Sequence, residues 1–67
     1  EVLHGADKLT LREKEILLHI ASGACNKEIA EQLSISLSTV KVHISNSFRK
    51  INVDGRLRAA LWAAKNL

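Results

Sequence analysis

The apolar residues of this chain recur at helical spacing and never alternate over a long run, so the pattern predicts helices and no strands. Short punctuation separates four periodic segments. The first opens on Thr10-Leu11-Arg12-Glu13, a capping box in which hydroxyl and carboxylate each satisfy the other's free backbone donor. Leu9 and Glu13 frame its apolar stripe of Ile16, Leu17 and Ile20, and Gly23, after Ser22, supplies a left-handed stop. The second takes Asn26 as N-cap and runs to about Leu33, with Ile29, Ala30 and Leu33 inward and Glu28, Glu31 and Gln32 towards water.

The third segment follows the turn Ser34-Ile35-Ser36, with Ser36 as cap and Ile35 as an apolar plug, and ends near Ile51. Leu37, Val40, Ile44, Phe48 and Ile51 share one side of it, and Ser38, Thr39, Val42, Ser45, Asn46 and Arg49 share the other. A short helix, a tight turn and a longer helix with a polar outer face make a helix-turn-helix arrangement. The fourth segment follows Asn52-Val53-Asp54-Gly55 and runs from Arg56 towards the end. It is apolar on two sides, Leu57, Leu61 and Ala64 forming one stripe and Ala59, Trp62 and Ala63 the other. One stripe closes the core. The other needs a second cover, for which an isologous partner subunit is the simplest candidate. Complete absorption of this helix into a small core is the competing reading. The expected fold is therefore all-α, a four-helix bundle containing a helix-turn-helix. Residues 9–67 form the domain and residues 1–8 the end of a linker from a longer protein.

With 67 residues the chain makes one domain with a modest core. Its net charge of +3 and pI near 9.4 suit a polyanionic partner, though an ordinary soluble surface has the same balance. No apolar run approaches a membrane span, and Glu1-Val2-Leu3-His4-Gly5 lacks the features of a signal peptide. Cys25, the single cysteine, excludes an internal disulfide and fits a reducing cytoplasm. His4, His19 and His43 with Cys25 match no zinc spacing. No nucleophile–base pair and no glycine-rich phosphate loop is visible, so neither an enzyme nor a metal or cofactor is expected.

The outer side of the third segment carries the chemistry. Val42 sits at its centre, where water belongs, among hydroxyls, an amide and cations. A methyl-bearing spot ringed by donors suits the major groove: methyls meet thymine C5, and Lys, Ser and Asn meet base edges and phosphates. The bland reading is an amphipathic helix with one stray surface valine. Lys27 adds its charge to the free N–H groups opening the second helix, where an anion is favoured. Arg49 lies two turns beyond Val42 on the same face, where a duplex backbone would pass, and Lys50 lies at its margin.

Taken together, Leu9-Thr10-Leu11-Arg12-Glu13, Asn26-Lys27-Glu28-Ile29-Ala30 and Ser38-Thr39-Val40-Lys41-Val42-His43 resemble the LuxR-type helix-turn-helix family. That family provides the DNA-binding end of quorum-sensing regulators and of NarL/FixJ-type response regulators, and the resemblance spans about Leu9 to Leu67. It implies a third helix in the major groove, with Lys41, Val42 and Ser45 facing bases and Lys27, Ser38, Thr39, Arg49 and Lys50 at phosphates. NarL-like members often carry Lys where this chain has Ser45, so the shared base preference does not transfer. Glu13, nearly fixed in the family, has a cap role here, and an ion pair with a basic residue such as Arg56 is a further expectation for it. Arg58 stands where many relatives are acidic, so no partner is carried over for it.

The expected function is sequence-specific binding of double-stranded DNA by the C-terminal domain of a bacterial response regulator. It would act in the cytoplasm as a homodimer through Leu57, Leu61 and Ala64, with RNA polymerase a further candidate partner. A promoter-binding region four of a sigma factor is the nearest alternative. That reading favours more arginine along the third helix and has no need of a two-sided fourth. A protein-interaction module docking through the Val42 face is the alternative from another class.

Overall fold

The computed structural model describes residues 8–67 and contains four helices: α1 (Leu11–Ala21), α2 (Asn26–Leu33), α3 (Leu37–Ile51) and α4 (Arg56–Asn66). There is no strand among the described residues. The expected linker over residues 1–8 lies, apart from Lys8, outside them.

Local chemistry sets each boundary. The capping box at α1 forms as expected: Glu13 N–H donates to Thr10 Oγ1 at 3.1 Å and Thr10 N–H donates to Glu13 Oε1 at 2.9 Å. Ser36 caps α3, its Oγ accepting from Thr39 N–H at 3.1 Å. The cap of α2 differs from expectation. Cys25, not Asn26, is the extended residue before the first turn. Its N–H donates to Glu28 Oε1 at 2.8 Å, while the Asn26 side chain turns to Arg56, whose Nη1 donates to Asn26 Oδ1 at 2.7 Å.

Helices α1, α2 and α3 all end in the same pair of backward hydrogen bonds around one left-handed residue. After α1 that residue is Gly23 (φ 94°), with Gly23 N–H to Ile20 O and Ala24 N–H to His19 O, both 3.0 Å. After α2 it is Ser34 (φ 56°), with Ile35 N–H to Ala30 O at 3.0 Å. After α3 it is Asn52 (φ 58°), with Val53 N–H to Phe48 O at 3.0 Å. Serine holds this conformation at a cost of about 1 kcal/mol or more. In exchange it turns the chain at once from α2 into α3 and points Ile35 towards the core.

The core draws on every helix: Ile16, Leu17 and Ile20 from the first, with Leu9 just ahead of it, Ile29 and Ala30 from the second, Val40 and Ile51 from the third, Ala59 and Ala63 from the fourth. α1 is the hub, packing on both α3 and α4, while α2 packs on α3. Two positions on α3 depart from its apolar pattern. Leu37, expected inward, is 42% exposed because it stands in the first turn, beyond the reach of the core. Ser47 is completely buried, its hydroxyl satisfied within the helix by donating to His43 O at 2.6 Å. On α4, Ala59 and Ala63 are fully buried whereas Leu57 and Leu61 remain 73% and 62% exposed. The two stripes thus separate into a core side and an uncovered side, and the helix is not absorbed into the core.

Candidate nucleic-acid interface

Helix α3 turns its inner side to α1 and α2 and its outer side to solvent. At about 100° per residue, Ser38, Val42, Ser45 and Arg49 fall within roughly 40° of the direction opposite Val40. All four are exposed, as are Thr39 and Lys41. Val42, at 58% exposure, is the apolar centre of this surface. Arg49 Nη2 donates to Asn46 Oδ1 at 2.8 Å, which fixes the guanidinium along the face. The hydroxyls of Ser38 and Thr39 both meet that of Ser36, at 3.1 and 2.7 Å, so a chain of hydroxyls surrounds the first turn.

The charge is sorted. No carboxylate occurs between Gln32 and Val53, so α3 and the turn leading into it are free of acids. Lys27, Lys41 and Arg49 have no carboxylate within ion-pair distance among the described residues. Arg12 and Arg58, in contrast, pair with Glu15 (3.5 Å) and Asp54 (3.3 Å) on other parts of the surface. One acid does stand close to the expected interface. Glu28, in the first turn of α2 beside Lys27, occupies the Cys25 N–H, and that hydrogen bond holds its carboxyl below the ordinary glutamate range. An anion arriving at α2 therefore meets Lys27 and an acid together, a weaker trap than a bare helix start.

Two side chains have intramolecular partners that were not expected. Glu13 pairs with Lys50, not with Arg56: Lys50 Nζ donates to Glu13 Oε1 at 2.9 Å and Oε2 at 3.1 Å. Lys50, expected at a phosphate, is thereby drawn inward against α1. Arg56 instead reaches the opening of α2, donating to Asn26 Oδ1 and, from Nη2 at 2.7 Å, to Ala24 O. Burial pushes the Glu13 carboxyl up, but the hydrogen bonds from Lys50 and Thr10 and the Lys50 charge more than offset it. The carboxyl titrates below the ordinary value of 4.5. A partial signal for this pair exists in sequence. Lys50 lies on the edge of α3, nearer the core direction than Arg49 does, and Glu13 begins a buried stripe.

Among the described residues there is no cluster of three His, Cys, Asp or Glu placed to hold a metal ion, and no helix long and apolar enough to cross a membrane. Cys25 is a free, exposed thiol.

A short helix, a turn locked by a left-handed serine and a longer helix with an acid-free outer face define a helix-turn-helix DNA-binding domain. The profile of the bacterial regulatory proteins of the luxR family (GerE) matches residues 7–63, and the chain belongs to that family. It is 50% identical over 60 residues to the transcriptional regulatory protein LiaR of Bacillus subtilis (strain 168), covering 90% of this chain and 28% of the relative. It is 54% identical over 59 residues to the CsgBAC operon transcriptional regulatory protein of Escherichia coli (strain K12), covering 88% and 27%. Against the nitrate/nitrite response regulator protein NarL of the same strain it is 46% identical over 56 residues, covering 84% and 26%. The chain thus spans about a quarter of the length of these curated relatives.

Proposed function

We propose that this domain reads a two-part operator, one α3 entering the major groove of each half-site, within a response regulator that controls transcription. Lys41, Val42 and Ser45 face base edges. Lys27, Ser38, Thr39 and Arg49 hold phosphates, while Lys50 stays with Glu13. The observation that carries the reading is the acid-free outer face of α3, with an exposed valine at its centre and cations around it. Phosphate neutralisation supplies most of the salt-dependent affinity, and each good base contact adds on the order of 1–3 kcal/mol of discrimination. The role is one of binding, without catalysis.

Two copies meet through α4, where Leu57, Leu61 and Ala64 form the uncovered stripe. One helix per subunit buries less than the roughly 1,200 Å² of a standard interface, so pairing is weak in solution and completed on DNA. Control by an upstream module, contact with RNA polymerase and action in the cytoplasm are extensions from the regulators that the chain resembles. A single arginine on the outer face of α3 and the uncovered stripe of α4 favour this reading over a sigma-factor region four.

The test is selection of bound duplexes from a random pool, followed by titration of the recovered duplex against wild type and Val42→Asp. Val42 is largely exposed, so the variant is expected to keep its far-UV circular dichroism and lose specific binding. Binding by the variant at low salt with unchanged sequence preference would overturn the assignment of α3.

A further inference from the structure

We infer that Glu13 and Lys50 are positioning residues for DNA binding: their ion pair fixes how α3 rolls on α1, and Lys50 itself touches no phosphate. The inference rests on α3 being the groove-reading helix, and it adds the part that sets that helix's angle.

The geometry is that of a clamp. Glu13 is anchored at its own end, since its Oε1 also accepts the Thr10 N–H at 2.9 Å and its side chain is 3% exposed. Lys50 reaches it across 37 residues of sequence with contacts to both carboxylate oxygens. The other ion pairs of the described residues, Arg12–Glu15 and Arg58–Asp54, are exposed and join residues three and four apart. Only the Glu13–Lys50 pair ties two helices together. It does so between Arg49, which faces out, and Ile51, which is buried. A roll of α3 that freed Lys50 would carry Arg49 and Val42 with it. Buried pairs of this kind contribute little net stability, because desolvation offsets the attraction, and their best-attested use is to select one arrangement over its neighbours.

The test uses this chain and the duplex that the wild type recovers from a random pool, with affinity measured across a range of salt. A lysine on a phosphate contributes about one unit to the slope of log affinity against log salt. Lys50→Gln is expected to bind on the order of tenfold more weakly at fixed salt, with that slope unchanged. Lys50→Arg, which can still hold the carboxylate, is expected to restore most of the binding. Glu13→Gln is expected to weaken binding in the same way. If Lys50 were a phosphate ligand held back by Glu13, Glu13→Gln would instead strengthen it. The proposal is overturned by loss of about one slope unit in Lys50→Gln, by a gain of affinity in Glu13→Gln, or by unchanged affinity in both. Circular dichroism establishes that each variant is folded at the titration temperature. If Glu13→Gln is not, the slope and affinity of Lys50→Gln decide alone. Failure of the wild type to recover any duplex would remove the groove reading itself, an outcome distinct from a wild type that binds while Lys50→Gln loses slope.

Discussion

Glu13 and Glu28 each reach back three residues to the N–H that opens their helix, at 2.9 Å to Thr10 and 2.8 Å to Cys25. The local device is the same and the surroundings are opposite. Glu13 is buried, has Lys50 on its second oxygen and looks into the junction of α1 with α3. Glu28 is exposed, has no ion-pair partner among the described residues and stands beside Lys27 at the edge of the proposed DNA-binding surface. A capping motif therefore does not determine what its acid is for. The first cap became a tertiary joint because a lysine from another helix found it, and the second remained a surface feature whose charge would oppose a phosphate arriving on the proposed path.

The sharpest way to break the comparison is to remove each acid. Glu13→Ala deletes a cap bond and the joint between α1 and α3, leaving a cavity and a freed Lys50 that can turn to water. The expected loss is about 2–3 kcal/mol, read as a lower urea midpoint. Glu28→Ala loses one exposed cap bond, and its midpoint is expected to move far less. Equal shifts would mean that Lys50 adds nothing to the first cap.

Acid separates the caps next. The Glu13 carboxyl titrates below its ordinary value of 4.5 in the folded protein, so folding releases protons from it at low pH. Its contribution is complete above that value and is lost as pH falls through the lower folded one. Glu28 has the same sign, from hydrogen bonds with Cys25, its N–H first and its side chain second, and in full contact with solvent. In stability curves measured below pH 5, Glu13→Gln is therefore expected to flatten the acid loss more than Glu28→Gln does. A steeper effect from Glu28→Gln would contradict the burial argument.

These two caps also mark how far the sequence could be read. Thr10 with Glu13 and Ser36 with its helix are codes within four residues, and both appear as expected. So does the outer face of α3, because periodicity alone sets which residues oppose Val40. The cap of α2 lies at Cys25, one residue before the expected Asn26. Asparagine is a strong capping type, which makes Asn26 the more obvious candidate. Yet the acid three residues downstream, Glu28, fits a box opening at Cys25, not at Asn26, and that spacing was the better guide. What no local code contains is the use of side chains across the fold. Asn26 is held by Arg56 thirty residues away, and Glu13 by Lys50 thirty-seven away. Lys50 looked like one more cation beside Arg49, because helical angle ranks residues by side but does not reveal which neighbouring helix carries an acid at the boundary.

Cys25 offers a smaller test of the same contrast. Its thiol is a weak acceptor at the α2 cap, whereas Thr10 caps α1 through a hydroxyl at 3.1 Å. Cys25→Ser is expected to put a stronger acceptor into the same box, raising stability by about 0.5–1 kcal/mol in thermal or urea unfolding. No gain would indicate that the exposed first turn of α2 frays whatever its cap.

The smallest expected effect on stability carries the most information about function. Glu28→Gln preserves the capping box, since glutamine accepts the same N–H, and removes a negative charge next to Lys27. If a phosphate comes to the start of α2, the variant should bind the selected duplex a few-fold more tightly at low salt. The advantage should shrink as salt screens the removed repulsion. Glu13→Gln, the same chemical change at the other cap, is expected to weaken binding instead. Opposite signs from one substitution at two matched positions would separate a charge that meets the DNA from a charge that only aims the helix. Unaltered binding in Glu28→Gln would place the phosphate path away from α2 and leave Lys27 without its proposed role.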